Sequence, residues 1–441
     1  MAQETLRVYY NNKYAGKLIK DQLNSSSFQY SFQYDIDYIN NNNATLSFNL
    51  PLCKDKFESR PNLFSYFENL ISEGWLRDMQ YEALKQVGIK DVDKFSILCF
   101  FGHDLLGSVS IKSEKPMQKR PYFNYSINNE QLYLGVPQGT TVNIESTATI
   151  PGVQKKLLVK KNYSGLFEVT CANELSTHIA KMEVNKFPDL IELEYLSSLA
   201  VKHILPDDVV CGLEISNIDN FNEKALIIER FDRSVESNYT SSSINNENIK
   251  RRHFEEFNQL LNLSSENKYE SSYDEMAVFI HQNIKLNRCN LNELLKLFRR
   301  ILAFILIGNT DAHLKNFAMF HEPEGSLCLT PMYDVVASAY YERFKEMALK
   351  LNYKKAELSK LKPKDIVDFA FKPKGFNLSK EYLLDVVEQL RDNKLNAIRA
   401  IQQNDCVSEH SHVKEKLIKM IEKRWNGTFH GIDIYLKKIK K

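Results

Sequence analysis

Apolar and polar positions recur along most of the chain with one of two periods, two or about 3.6, and these predict its elements. Leu6-Arg-Val-Tyr-Tyr10 alternates, Asn11-Asn12 can turn, and Tyr14–Ile19 returns, which predicts a β-hairpin. Residues 61–79 carry Leu63, Phe67, Leu70 and Ile71 on one helical face. Apolar runs at 95–101 and 105–111 flank Gly102-His103-Asp104 and predict a further strand pair. Residues 1–113 thus read as a small α+β unit, with Ser113-Glu-Lys-Pro116 as a linker. From Tyr122 the pattern is β-rich. Strands are expected at 141–144, 156–161, 166–171 and 178–181, a turn at 162–165, a helix at 191–203 and a buried strand at 225–231. After about 250 the period turns helical, over 251–262, 273–285, 290–306, 381–403 and 412–424. The polar stretch 234–248 reads as a mobile loop. The fold class is α+β, in three segments: 1–113, a β-rich 114–232, and a largely helical 233–441.

Composition narrows the class. The 441 residues are 43% hydrophobic and 26% charged, as in a globular protein with a large core. A net charge of +2 gives no bulk argument for nucleic acid or membrane. The basic 437–441 end reads as a solvated tail. No run of about 18 apolar residues is present, so no membrane span is expected. Residues 1–5 lead straight into the alternating segment without a leader pattern. The seven cysteines are scattered, without metal-ligand spacing, which suits reduced thiols in a cytoplasm.

Candidate chemistry concentrates between Ile301 and Val335. An apolar run, Ile301–Ile307, leads to Asp311 and, five positions on, Asn316. Two short apolar runs, 317–320 and 327–329, flank Glu322-Pro-Glu-Gly325 and predict a hairpin, after which Tyr333-Asp334 follows. A kinase catalytic loop has this layout. Its Asp receives the substrate hydroxyl's proton, its Asn holds Mg2+, and a second Asp past the hairpin holds Mg2+ across the phosphates. Asp311-x4-Asn316 keeps the internal spacing of that loop, although Val335 and Val336 replace the usual Phe and Gly. On spacing alone, Asp311 and Asn316 as plain loop residues with Asp334 as a cap is an equal reading.

Six motifs in order, two of them in this stretch, extend the match. They are Ile150-Pro-Gly-Val-Gln-Lys-Lys156, Thr177-His-Ile-Ala-Lys181, Glu229-Arg-Phe-Asp-Arg233, Lys268-Tyr-Glu270, Asn309-Thr-Asp-Ala-His-Leu-Lys-Asn-Phe317 and Pro331-Met-Tyr-Asp334. With Phe67–Gly74 and Phe101–Ser108 in the first segment, the chain resembles the HipA family of bacterial serine/threonine kinases, the toxins of toxin–antitoxin pairs. The resemblance covers nearly the whole chain. It implies a two-lobed protein-kinase-like fold behind a small N-terminal domain, with ATP and Mg2+ as cofactors.

The resemblance also implies roles. Lys181 would contact the phosphates, with Glu194 or the equally near Glu192 as its carboxylate partner. Backbone groups of Glu229 and Phe231 would meet adenine, and Asp232 the ribose. Phe231 would serve equally as core. Asn316 and Asp334 would hold the metal, Asp311 would act on the substrate hydroxyl, and Lys315 would neutralise the phosphoryl group. His313 and His253 read as structural. Gly152, Val153 and Gln154 would belong to the phosphate loop, where the family carries an autophosphorylated serine. The aligned residue here is Thr149, with Ser146 and Thr147 nearby, a departure from the family. The implied substrate class is aminoacyl-tRNA synthetase, notably the glutamyl enzyme. The implied partner is a HipB-like helix-turn-helix antitoxin, with DNA reached only through it. A kinase-fold binding module without transfer activity, and a kinase of small molecules or lipids, are the alternatives.

Overall fold

The computed structural model describes residues 3–24, 27–41, 43–115, 154–162, 164–170, 174–184, 186–219, 224–235, 246–408 and 411–438. The expected strand at 141–144, and most of the loop expected at 234–248, lie outside the described residues. Packing groups the chain into two compact units, Met1–Val184 with Ser216–Ser265, and Asn185–Ile215 with Glu266–Lys441. These cut the sequence elsewhere than the expected three segments do. Residues of the first two segments share a unit, joined by 246–265, while the helix Leu190–Ile204 belongs with the C-terminal helices.

The first unit is built on two sheets. Strands β1 (Gln3–Tyr10), β2 (Lys13–Asn24), β3 (Ser27–Tyr34), β4 (Phe57–Ser59) and β5 (Val109–Ser113) pair antiparallel in the order β4-β3-β2-β1-β5. Register follows burial. Leu6 lies opposite Leu18, and Val8 opposite Ile111, with all four buried on one face against Phe32, Phe67, Phe95 and Leu98. The run expected as a strand at 95–101 is instead the helix Lys94–Phe101. A short, wholly apolar run has no period to read. Here Asp93 decides, accepting the Ser96 N–H at 2.8 Å while the Ser96 hydroxyl accepts the Asp93 N–H, a reciprocal N-cap. The helix expected over 61–79 is also divided, into Ser65–Asn69 and Gly74–Gln86.

The second sheet contains β6 (Lys156–Lys161), β7 (Phe167–Val169), β8 (His178–Met182), β9 (Leu213–Asn217) and β10 (Lys224–Glu229), in the order β7-β6-β8-β10-β9. Leu157, Val159, Phe167, Ala180, Met182, Ala225 and Ile227 form its core. Leu76, on the Gly74–Gln86 helix, packs against that core, so the N-terminal segment is part of this unit's interior.

Residues 251–262, expected as a helix, form instead the strand Phe254–Glu256 and the single turn Phe257–Leu260. Tertiary bonds override the pattern. The Glu255 carboxylate accepts the Ser47 hydroxyl at 2.6 Å and the Phe48 N–H at 2.7 Å, and Asn258 donates to Asn69 at 2.9 Å. His253 stands on Leu46 O at 2.9 Å, consistent with its structural reading.

The second unit is helical, with Tyr273–Lys285, Leu291–Ile307, Pro363–Ala370, Lys380–Gln403 and His412–Arg424 beside Leu190–Ile204. The sequence periodicity places most of these to within a residue. Ser272, Asn290, Ser379 and Ser411 cap four of them by accepting backbone N–H groups. Among the described residues no helix is long and apolar enough to cross a membrane.

One titratable group makes the first unit's stability depend on pH. His178, between the Thr177 hydroxyl at 2.8 Å and the Phe167 ring at 5.0 Å, is pushed down to about 4 by burial, with Lys161 adding to the effect. An unfolded histidine titrates near about 6.5. Between these values the unfolded chain binds a proton that the folded one refuses, so stability falls as pH drops from about 6.5 towards 4. Thermal midpoints of wild type and His178→Gln should converge over this window on acidification. Parallel curves would contradict it.

Candidate phosphoryl-transfer site

The catalytic residues expected between 309 and 334 are placed by the end of one helix. Leu291–Ile307 is buried on nearly all sides and stops at Gly308, whose φ of +88° only glycine adopts freely. The N–H groups of Gly308 and Asn309 both return to Phe304 O, at 3.1 and 2.8 Å, which turns the chain sharply away from the axis. An added Cβ at Gly308 would stand 2.9 Å from the Met420 methyl.

The loop that follows is almost entirely buried. Asn309, Thr310, Asp311, His313, Lys315 and Asn316 are all less than a tenth exposed. Asn309 Oδ1 accepts the Asp311 N–H at 3.0 Å, and Asn316 Nδ2 donates to Asp311 O at 3.1 Å. Asp311 and Asn316, five positions apart, are therefore brought together by a direct bond. With its amide nitrogen on that carbonyl, the Asn316 side chain turns its oxygen the other way.

Two tyrosines hold the loop from the segment before it. The Tyr269 hydroxyl donates to Asp311 Oδ1 at 3.0 Å, and the Tyr273 hydroxyl to Ala312 O at 3.0 Å. Leu314 N–H adds a bond to Lys268 O at 3.2 Å. Burial pushes the Tyr273 phenol well up, and the Asp311 carboxylate reinforces this. The Lys268-Tyr-Glu270 motif is visible in the sequence, but the role of Tyr269 is not, since its partner lies 42 positions on. The Tyr269 ring also meets His313 edge-on at 5.1 Å.

Asp334 follows the hairpin Ala318–His321 and Leu327–Leu329. Its φ is +54°, a conformation that Asp tolerates better than most residues. Bonds tie its loop to the catalytic one. The Tyr333 hydroxyl donates to Lys315 O at 2.7 Å. Ser338 Oγ accepts the Thr310 N–H at 2.8 Å, and Ala339 N–H reaches Gly308 O at 3.0 Å. The Ser197 hydroxyl accepts the Ala337 N–H at 3.0 Å, which joins the loop to the helix bearing Glu194. Glu194 is buried, whereas Glu192 accepts a bond from the Ser411 hydroxyl. An amide oxygen and a carboxylate on two tied loops are hard oxygen donors of the kind Mg2+ takes, so the residues fit that ion.

The first unit holds the other expected contacts. Lys181 is buried on β8, opposite Leu226 and Lys156. Gln154, also buried, donates to Met182 O at 3.4 Å, and Met182 N–H to Lys155 O at 3.0 Å. The end of the expected phosphate loop is thus pinned beside the strand of Lys181. Thr149, Ser146, Thr147, Gly152 and Val153 lie outside the described residues. Glu229 is exposed at the end of β10, and the Phe231 ring meets Phe254 at 4.8 Å. Asp232 is tied into its surroundings. Its carboxylate is buried and accepts from Arg230, Arg233 and the Gly107 N–H. Oδ2 takes three of these bonds and Oδ1 one, which holds the carboxylate within the first unit.

The HipA-like C-terminal domain model matches residues 148–398 and the HipA N-terminal domain model residues 6–112. A putative kinase of Sinorhizobium fredii is 23% identical over 372 residues, covering 80% of this chain and 81% of the relative. A putative kinase of Haemophilus influenzae is 28% identical over 306 residues, 66% of this chain and 80% of the relative. The serine/threonine-protein kinase toxin HipA of Shewanella oneidensis is 27% identical over 304 residues, 64% of each chain. Among solved structures, a chain of the Shewanella oneidensis HipA, HipB and operator DNA complex matches with a TM-score of 0.73 at 19% identity, covering 99% of this chain and 100% of that one. That likeness gives the fold, the two-lobed kinase-like architecture with a small N-terminal α+β domain. The chain belongs to the HipA family of serine/threonine-protein kinases.

Proposed function

We propose that this protein is an ATP- and Mg2+-dependent serine/threonine protein kinase acting as the toxin of a toxin–antitoxin pair. One observation carries the reading: a buried carboxylate, Asp311, is oriented by Tyr269 and joined through its own carbonyl to Asn316. A residue serving only as a loop spacer has no need of a buried charge with its own orienting hydroxyl.

In this reading Asp311 orients the substrate serine or threonine hydroxyl and takes its proton. Lys315 faces the charge on the phosphoryl group in transfer, where a fixed cation stabilises most. Asn316 and Asp334 would hold Mg2+, which when bound neutralises phosphate charge. Lys181, the Gln154 loop and backbone groups of Glu229 and Phe231 bind ATP. The substrate class is a translation enzyme such as glutamyl-tRNA synthetase. The Shewanella relative was solved with HipB and operator DNA, which supports a HipB-like helix-turn-helix antitoxin as partner here, with DNA reached through it. A cytoplasmic site of action follows from such a substrate.

Asp311→Gln should abolish transfer and growth arrest while calorimetry still reports Mg·ATP binding, since Asp311 serves the hydroxyl and not the nucleotide. Tyr269→Phe keeps the carboxylate but frees it to turn, and turnover should fall about tenfold to a hundredfold, the worth of a hydrogen bond to a charged group. Full growth arrest by Asp311→Gln at equal expression would make a binding-module toxin the better account.

Asp334→Asn should remove nucleotide turnover with the fold intact, because a neutral amide replaces the charged oxygen donor. Unchanged turnover in the folded variant takes Asp334 out of the site.

Self-phosphorylation is expected on Thr149 or, failing that, Ser146 or Thr147. A phosphate there adds about −1.5 to −2 charge beside ATP's own phosphates and opposes binding. Peptide mapping of active protein that finds 141–156 wholly unmodified would contradict this.

A further inference from the structure

The hinge between β10 and the following strand is held by a cluster of buried charge whose other half comes from the N-terminal segment. Arg230, Arg233, Asp232 and Asp104 are all nearly inaccessible, and their formal charges cancel. Arg230 donates to Asp104 Oδ2 at 3.1 Å, to the Ser176 hydroxyl at 2.8 Å and to Leu105 O at 3.0 Å. Arg233 donates to Asp104 Oδ1 at 3.0 Å, to Leu105 O at 2.7 Å and to Gly107 O at 2.9 Å. The Ser176 N–H and hydroxyl both reach Asp104 Oδ2, at 2.9 and 2.7 Å. Burial alone would raise the Asp104 carboxyl, but Arg230 and Arg233 outweigh it and hold it far below the usual range.

The segment 102–108 is shaped to make these contacts. Gly107, at φ +68°, gives its N–H to Asp232 at 2.8 Å and its carbonyl to Arg233. A Cβ there would stand 3.1 Å from His253 Nδ1. Arg230 lies between Glu229 and Phe231, and every nitrogen of its guanidinium is bonded within the cluster. Its side chain therefore fixes the backbone on both sides. Without Asp104 the buried cluster would carry a net +1, which it can shed only by moving an arginine towards water and the hinge with it.

We infer that Asp104, 126 and 129 positions before the hinge arginines it binds, is a positioning residue for nucleotide binding, so that the N-terminal segment completes the ATP hinge. The inference rests on the reading of 229–232 as that hinge. It assigns Asp104 no contact with substrate.

The test uses the full chain with Asp104→Asn and with the milder Ser176→Ala, which keeps every charge. Calorimetry measures Mg·ATP affinity, and steady-state rates give KM for ATP and kcat. Asp104→Asn should weaken binding and raise KM about tenfold or more, the worth of lost charge-assisted hydrogen bonds, with the effect in KM and not kcat. Ser176→Ala should move KM in the same direction by less. A core variant of the first sheet, Leu18→Ala, should lower thermal stability without moving KM, which separates positioning from general loosening. If Asp104→Asn fails to fold, Ser176→Ala decides. Folded variants that bind ATP as wild type does overturn the inference and leave the kinase reading standing. Wild type that fails to bind Mg·ATP overturns both.

Discussion

Leu291–Ile307 is a nearly all-buried apolar rod, and a rod of that kind has to be packed on every side. It also carries two buried charges, and each is bonded to a neighbouring segment. Arg300 forms a two-point pair with Asp208, at 2.7 Å to each oxygen, and donates to Thr330 O at 2.8 Å. Glu293 accepts the Leu329 N–H at 2.8 Å. The helix therefore holds the strand that leads to Asp334 as well as launching, at Gly308, the loop that carries Asp311. Losing one partner of a buried pair such as Arg300–Asp208 costs about 3–5 kcal/mol, a large part of a typical domain's stability. Placement of the two loops is thus bound to the stability of the unit.

The same electrostatic constraint shapes both halves of the molecule. A buried charge is tolerated only with partners, and the partners here do positional work. At the hinge, two aspartates and two arginines neutralise one another and so fix a stretch of backbone. In the loop after Gly308, the Asp311 carboxylate accepts the hydroxyl of Tyr269. The first arrangement is closed and serves geometry. The second holds a carboxylate in a buried loop that also carries Lys315.

Much of the fold was legible because helices longer than about two turns show their period. Tyr273–Lys285 and His412–Arg424 match their expected bounds to the residue. The misread elements share a cause. Lys94–Phe101 is uniformly apolar and owes its helix to the Asp93–Ser96 cap. Phe254–Glu256 is a strand because Glu255 finds donors 207 and 208 positions away. Of the site, the types and spacing of Asp311, Asn316, Asp334 and Lys181 could be read in the chain. The bonds from Tyr269 to Asp311 and from Gly107 to Asp232 could not, since the partners lie 42 and 125 positions apart. Spacing reveals which chemistry a loop can host, and long-range hydrogen bonds determine which of its groups are available for it.

The central claim is that a carboxylate held in this loop moves phosphate onto a protein hydroxyl. The most direct measurement is a quantitative phosphoproteome of cells during a brief pulse of expression, wild type against Asp311→Gln. The account predicts new phosphoserine or phosphothreonine on a small set of proteins, a translation enzyme foremost, present only with wild type and preceding growth arrest. Growth arrest with identical phosphoproteomes in the two strains would contradict it.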